Sequence, residues 1–421
     1  MRDPRLHEFY AAAIVLAFSL SLLSTSALAT SREQVIYAFT NCTDAISPLI
    51  PDGSGNLYGT ASGGGAYQHG CVFELSPNAD GSWTETLLYS FSGNDGEFPS
   101  ASLVFDKVGN LYGTAGGGLY AGGSVVFELS PSPGGTWTET VLYNFGNGND
   151  GSGSVSELVF DSAGNLYGTT NTGGAHRGGT VFRLSPSPNG WTETVLHSFW
   201  GKIQGPSPCA PVGGVVMDSV GNLYGVTGYG GNNGGFGAAY ELVLKNGVYK
   251  ERTIHNFDGY DGEEPSSTLV MDSNGNLYGT TSVGGSRQDI CPYVGCGTVF
   301  ELTKDRGGKW TETVLYSLGD NGVSALGPVA FDSAGNLYAA AQFGGLEGQG
   351  SIFKLSPRPD GTWTEHVLHL FHYHNAHYHY GKDGMNPYAG VIVQGANLFG
   401  TTASGGIHDE GTVFSIRLAH P

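Results

Sequence analysis

The sequence predicts an all-β fold: a seven-bladed β-propeller with four-stranded blades, the N-terminal strand closing the last blade. Three observations predict it. Gly55-Asn56-Leu57-Tyr58-Gly59-Thr60 recurs in near copies starting at Gly109, Gly164, Gly221, Gly275, Gly335 and Ala396, at intervals of 54 to 61 residues. Self-similarity at such a period marks one supersecondary unit copied head to tail. Each unit begins with a wholly apolar run and ends with an alternating one, as an inner and an outer strand would. Finally, the last unit stops one strand short, and the N-terminus supplies a strand of the missing kind.

The unit from Ser154 to Phe199 shows the elements in order. Leu158-Val159-Phe160-Asp161 is strand a; Ser162-Ala163-Gly164 turns it, and Asn165-Leu166-Tyr167-Gly168-Thr169-Thr170 follows at once as strand b of a tight hairpin. A Gly-rich loop from Gly173 to Gly179 leads into strand c, Thr180-Val181-Phe182-Arg183-Leu184. After a Ser-Pro turn comes strand d, Trp191-Thr192-Glu193-Thr194-Val195-Leu196-His197-Ser198-Phe199. Strand a is apolar elsewhere too, as in Leu103-Val104-Phe105, Val215-Val216-Met217, Leu269-Val270-Met271, Val329-Ala330-Phe331 and Val391-Ile392-Val393, which predicts burial on both faces. Strand d interleaves Thr and Glu with Trp, Val and Leu, the pattern of an outer strand with one wet face.

The ends complete the ring. The chain stops at a c strand, Thr412 to Leu418, while Gln34 to Phe39 matches Thr140 to Phe145 position for position. The N-terminal strand is therefore expected to complete blade seven and remove its open edge. The predicted organisation is a signal peptide over 1–29 and one propeller domain over 30–421. In that domain 33–39 is the outer strand of blade seven, and the blades fall near 48–91, 99–145, 154–199, 211–257, 265–318, 325–371 and 387–418.

The run from Asp161 to Thr170, the following Gly-Gly, the Gly-Thr-Val-Phe strand and the closing Val-Leu-His-Ser-Phe resemble the GloVer (Gloeobacter/Verrucomicrobium) tandem repeat of bacterial exported proteins. The likeness spans essentially the whole mature chain. Blade six departs with Ala339-Ala340 for Gly-Thr, and blade seven has Phe399 for Tyr. The resemblance implies export and varied surface anchoring, and it brings no established activity.

Composition agrees with many short strands and tight turns: 70 glycines, 12 % aromatic and 13 % charged residues. Arg2 and Arg5 precede an apolar run from Ala11 to Leu23, and Ala27-Leu28-Ala29 is an A-x-A pattern, which reads as a Sec-type signal cleaved after Ala29. The expected location is extracellular, cell-surface or periplasmic, with no membrane span in the mature chain. A net charge of −19 repels phosphate backbones, so nucleic acid is not expected as a partner. Acidity of this kind also simply keeps a Gly-rich protein soluble. Five cysteines suit disulfides in an oxidising compartment: Cys291 with Cys296 in one loop, Cys42 with Cys71 in the first repeat, and Cys209 left over, although connectivity does not follow from sequence.

In this topology the b–c and d–a loops share one face, and the long variable loops are all there. Asp258, Asp261, Glu263 and Glu264 form the densest acidic turn on it, a candidate calcium site, though Asp-Gly is also an ordinary turn pair. Six of the 13 histidines lie between residues 366 and 379. His372, His374, His377 and His379 form His-x-His twice in a long d–a loop, a spacing that suits zinc, nickel or copper; such tracts are also adventitious metal traps. His197, His255 and His369 occupy a slot held elsewhere by Tyr143 and Tyr316 and read as packed strand residues. Trp83, Trp137, Trp191, Trp310 and Trp363 share one slot and read as packing, with stacking on sugars as the alternative.

No Gly-x-Ser-x-Gly, His-Glu-x-x-His or phosphate-loop motif occurs. Strand a offers no central carboxylates or asparagines of the kind a gluconolactonase-type propeller needs for its metal. The expectation is thus a binding module for a glycan or an envelope protein, weighed against catalysis. The alternatives are a metal-assisted hydrolase or lactonase and metal capture by the His-rich loop, with calcium, zinc or nickel as the cation.

Overall fold

The structure is a computed structural model that describes residues 33–201, 205–287, 289–291, 295–372 and 381–418. Seven antiparallel sheets succeed one another along the chain as the blades. In blade two, strands a to d are Val104–Phe105, Leu111–Gly116, Ser124–Pro131 and Trp137–Phe145. Blade seven joins Ile392–Gln394, Asn397–Thr402 and Thr412–Arg417 to the N-terminal Glu33–Ala38, with Glu33 opposite Ile416. That pairing closes the ring without an exposed edge. Among the described residues, no helix is long and apolar enough to cross a membrane.

Strand a differs from its expected full burial. It is two or three residues long in six blades, and only its leading apolar residue is deeply buried, as for Leu49, Leu103, Leu158 and Leu269. The two residues after it are half-buried, because strand a is the innermost of its sheet and no further strand covers it. Strand b is the most enclosed instead: Leu57–Ala61 is buried throughout.

The recurrent hexapeptide holds both the hairpin and its neighbour. Asp161 Oδ1 accepts the backbone N–H groups of Ala163 and Asn165, each at 2.9 Å, and Oδ2 accepts from Asn165 Nδ2 at 2.7 Å and from the Tyr167 hydroxyl at 3.1 Å. Gly164 turns at φ 85°, a left-handed conformation that glycine adopts without strain. Gly168 makes room for packing, since a Cβ there would meet Phe182 at 2.7 Å. Thr169 donates to the Gly213 carbonyl of the next blade at 2.8 Å, and Thr60, Thr114 and Thr280 reach Ala101, Ser156 and Gly327 in the same way.

The aromatic residues also bridge blades. Tyr58, Tyr112 and Tyr278 meet Phe105, Phe160 and Phe331 of the following blade edge-on at 4.9 to 5.1 Å. Trp191 packs on Tyr112 and Trp310 on Tyr224, each of the preceding blade. The repeated Trp slot is packing. Cys42 is bonded to Cys71 and Cys291 to Cys296, and Cys209 is buried and unbridged.

Candidate metal centre

The most concentrated chemistry lies between the outer strands of blades four and five. Their d strands are Val248–Asn256 and Trp310–Ser317. In each c–d pair a bulge shifts the register just before the end of strand d, and in blade four it falls between Ala239 and Tyr240. Such a bulge re-aims the side chains beside it. His255, opposite Ala239, stands next to the bulge, its ring edge-on to Phe257 at 4.8 Å.

His255 Nε2 lies 2.9 Å from Asp261 Oδ2, and both side chains are 19 % exposed. The d–a loop fixes Asp261 through itself: the Asp258 N–H donates to Asp261 Oδ1 at 2.8 Å, while Asp258 Oδ1 accepts from Tyr260 N at 2.9 Å and Asp261 N at 3.2 Å. Glu312 comes from blade five, opposite Leu302. One ligand atom from each of His255, Asp261 and Glu312 lies within 4.8 Å of the other two. Burial first, then the charges of Asp261 and Asp258, push the Glu312 carboxyl up to about 8. Its Oε1 is buried without a hydrogen-bond partner among the described residues.

One imidazole and two carboxylates from two blades make a nitrogen-and-oxygen ligand set for a divalent cation. A cation there would pair the orphaned oxygen and relieve the crowding of negative charge that raises Glu312. Among the described residues, no other group of three or more His, Cys, Asp or Glu converges in this way.

The four acidic residues of the d–a turn take separate places. Asp261 enters the cluster and Asp258 supports it, whereas Glu263 lies in a short strand opposite Val283, and Glu264 approaches Ser282 at 3.4 Å. His372 lies 4.0 Å from Glu347. His374, His377 and His379 lie outside the described residues. Glu312 escaped sequence reading because its Trp-Thr-Glu-Thr context recurs in most blades and looked like ordinary outer-strand alternation. The usable signal was His where other blades carry Tyr, six residues before an Asp-Gly turn.

The central channel is more polar than strand a suggested. Ser100, Ser156, Glu157, Ser266, Ser267 and Thr268 line a cavity of ≈ 150 Å³, because the residues just before strand a, and not those within it, face the axis. Burial raises the Glu157 carboxyl above its usual range, against a hydrogen bond from Thr268. Among the described residues it is the one carboxyl lining that cavity.

These observations correct the weighing against an enzyme. Among the described residues strand a carries no ligand set; one lies at the outer edge instead, where His255 and Glu312 of two outer strands meet Asp261 of the d–a loop. His255 is a packed strand residue and also a member of that set.

Known structures share the architecture. A protein from Lactobacillus plantarum superposes with a TM-score of 0.55 at 11 % identity, covering 87 % of this chain and 96 % of its own. The periplasmic gluconolactonase PpgL of Pseudomonas aeruginosa superposes with a TM-score of 0.51 at 14 % identity, covering 77 % and 84 %. At such identities the likeness is one of fold. No curated protein matches the sequence. The family described as the Gloeobacter/Verrucomicrobia repeat matches over residues 19–212 and 202–381.

Proposed function

The chain belongs to the Gloeobacter/Verrucomicrobia repeat family, and from that premise we propose that it is an exported propeller with a metal-assisted hydrolytic site at His255, Asp261 and Glu312. The observation that carries this reading is the convergence of the three side chains from two blades. His255 Nε2 and the two carboxylates would hold the cation. A divalent ion held by these residues would supply Lewis-acid polarisation of a carbonyl oxygen and lower the pKa of water. The protein's part is to hold three partly buried ligands and leave coordination open. Three protein ligands are the usual complement of a catalytic site.

The substrate class follows from that chemistry: a lactone or a simple ester, whose carbonyl needs polarisation and no strongly assisted leaving group. That a gluconolactonase uses the same fold supports the class at the level of architecture. Export is supported by the apolar N-terminal segment with its A-x-A pattern and by the two disulfides.

The test is hydrolysis of a panel of aldonolactones and aryl esters by the zinc-loaded mature protein. His255→Tyr, which installs the residue found at this slot in other blades, should lower kcat by about 100-fold or more, as loss of several kcal/mol of Lewis-acid stabilisation requires. Activity that survives both this change and chelation would sink the proposal.

A second reading, binding of a glycan, rests on a different observation. The face of the b–c and d–a loops exposes Tyr67, Phe98, Tyr260 and Phe343, and Trp200 at the end of a d strand, between 45 % and 71 % accessible. Trp200 stacks on His176 at 3.9 Å with its plane 10° away, which fixes a flat ring at the surface. Such rings suit the apolar faces of sugars. A glycan array should show hits that weaken at least tenfold in Trp200→Ala and Tyr260→Ala; an empty array rejects this reading.

A further inference from the structure

We infer that the pocket beside Glu97 and Phe98, on the face of the b–c and d–a loops, is a saccharide subsite that takes one neutral pyranose ring. The inference rests on the glycan reading and gives it a site. It shares no residue with the cluster at His255, Asp261 and Glu312.

The pocket, ≈ 340 Å³ in volume, lies between the d–a loop that follows blade one and the b–c loop of blade two. Cavities of this size hold small organic ligands. Glu97, Phe98 and Ser100 line it beside Gly116, Gly117 and Gly153, and five of its ten lining residues are glycine. A wall so bare of side chains brings a ligand against peptide N–H and C=O groups, which pair with hydroxyls as acceptor or donor. The Glu97 N–H donates to the Gly116 carbonyl at 2.7 Å and ties the two loops together. A Cβ on Gly117 would lie 2.8 Å from Glu97 Cγ, so glycine there leaves the space that the Glu97 side chain fills.

Glu97 is held in place as an acceptor. His69 Nδ1 lies 3.1 Å from Glu97 Oε2, and the two side chains are 36 % and 32 % exposed. The imidazole orients the carboxylate, whose other lone pairs serve hydroxyl donors. Among the described residues it is the one carboxyl lining this pocket. A single carboxylate among hydroxyl and peptide groups suits a neutral polyol better than a divalent cation, which gathers several charged oxygens.

Phe98 supplies the platform, and folding alone does not account for it. Its φ of 51° lies in the left-handed region that a bulky side chain rarely adopts, and it is 53 % exposed. The backbone there belongs to the repeat: the Phe98 N–H donates to the His69 carbonyl at 2.9 Å, as Glu264, Ser324 and Asn386 donate to Phe236, Cys296 and Gln349 at 2.9 to 3.0 Å. Those three residues are also left-handed, at φ 51°, 63° and 56°.

Where those blades place a polar side chain, the first interface places an aromatic ring that adds little to the core. Its ring centroid stands 6.1 Å from that of His69. Strain of this kind gathers at functional sites. A ring beside a carboxylate meets a pyranose on two sides, the C–H face packing on Phe98 while hydroxyls donate to Glu97.

The experiment titrates the methyl glycosides of glucose, galactose and mannose into the mature protein, followed by saturation-transfer NMR. Phe98→Asn installs the residue that blade seven carries at this position, and Glu97→Gln removes the charge while keeping the shape; circular dichroism checks both folds. The parent should bind at least one glycoside. Both variants should weaken it by about tenfold or more, as loss of a ring contact or a charge-assisted hydrogen bond requires, while Trp200→Ala leaves it unchanged. Phe98→Asn should melt at the parent's temperature or above, because asparagine tolerates the left-handed backbone. The site is overturned if no glycoside binds the parent, if both variants bind as the parent does, or if Phe98→Asn melts lower, which would assign the ring to folding. Ethylammonium binding in place of the glycosides would assign the pocket to a cation and overturn it too. Failure of the broader glycan reading appears separately, as an empty array; array hits that Trp200→Ala removes and Phe98→Asn spares reject the pocket alone.

Discussion

At the scale of the residue, the repeat signature resolves into separate physical duties. Burial alone would raise Asp161, yet hydrogen bonds from Asn165, Tyr167 and Ala163 outweigh it and hold the carboxyl below its ordinary 3.8. Gly168 is there for space: a Cβ would lie 2.7 Å from Phe182 and 3.0 Å from Leu158. Blade six tolerates Ala339 at this position beside the smaller Val329. Gly168→Ala should therefore cost about 1–3 kcal/mol by overpacking. Adding Leu158→Val, which alone costs about 1 kcal/mol, should recover part of that loss. Denaturant melts of the two single variants and the double check this, and simple additivity would refute the compensation.

At the scale of the element, the outer strands carry a burden their sequence does not advertise. Glu139 and Glu193 are both raised to about 7, by burial first and then by Asp95 and Asp150 respectively. A carboxyl whose folded value lies above its ordinary 4.5 binds its proton more tightly in the folded chain. Its contribution is full below pH 4.5 and is lost as pH rises through about 7. The metal-stripped protein should therefore melt at a lower temperature at pH 8 than at pH 5. Glu139→Gln combined with Glu193→Gln should make that descent shallower, and an unchanged slope between pH 4.5 and 7 would overturn the assignment. These two interfaces carry Tyr89 and Tyr143, so the measurement is independent of any cation.

At the scale of the whole molecule, the exceptions to sevenfold regularity hold the chemistry. Each blade interface repeats a Glu and a Tyr-or-His slot, which is why Trp-Thr-Glu-Thr reads as architecture. Substituting His for Tyr at 255, beside Asp261 of its loop and Glu312 of the next blade, makes a ligand set where Tyr143 only donates a hydrogen bond to Asp150. The same regularity explains the channel: Thr60, Thr114, Thr169 and Thr280 tie neighbouring blades around it, while Ser and Thr residues ahead of strand a line its cavity.

Blade number, strand order and the N-terminal closure were legible because they depend on period and alternation, which are properties of the chain read in order. Glu33 could be matched to Glu139 from the sequence by position in the repeat. The meeting of His255 with Glu312 could not be read in the same way, because they belong to different blades. Sequence by itself determined the propeller and its closing strand, since local hydrophobic pattern decides which face of each strand is buried. Only the tertiary structure decided where ligands gather, since that is set by which outer strands the packing of blades brings side by side.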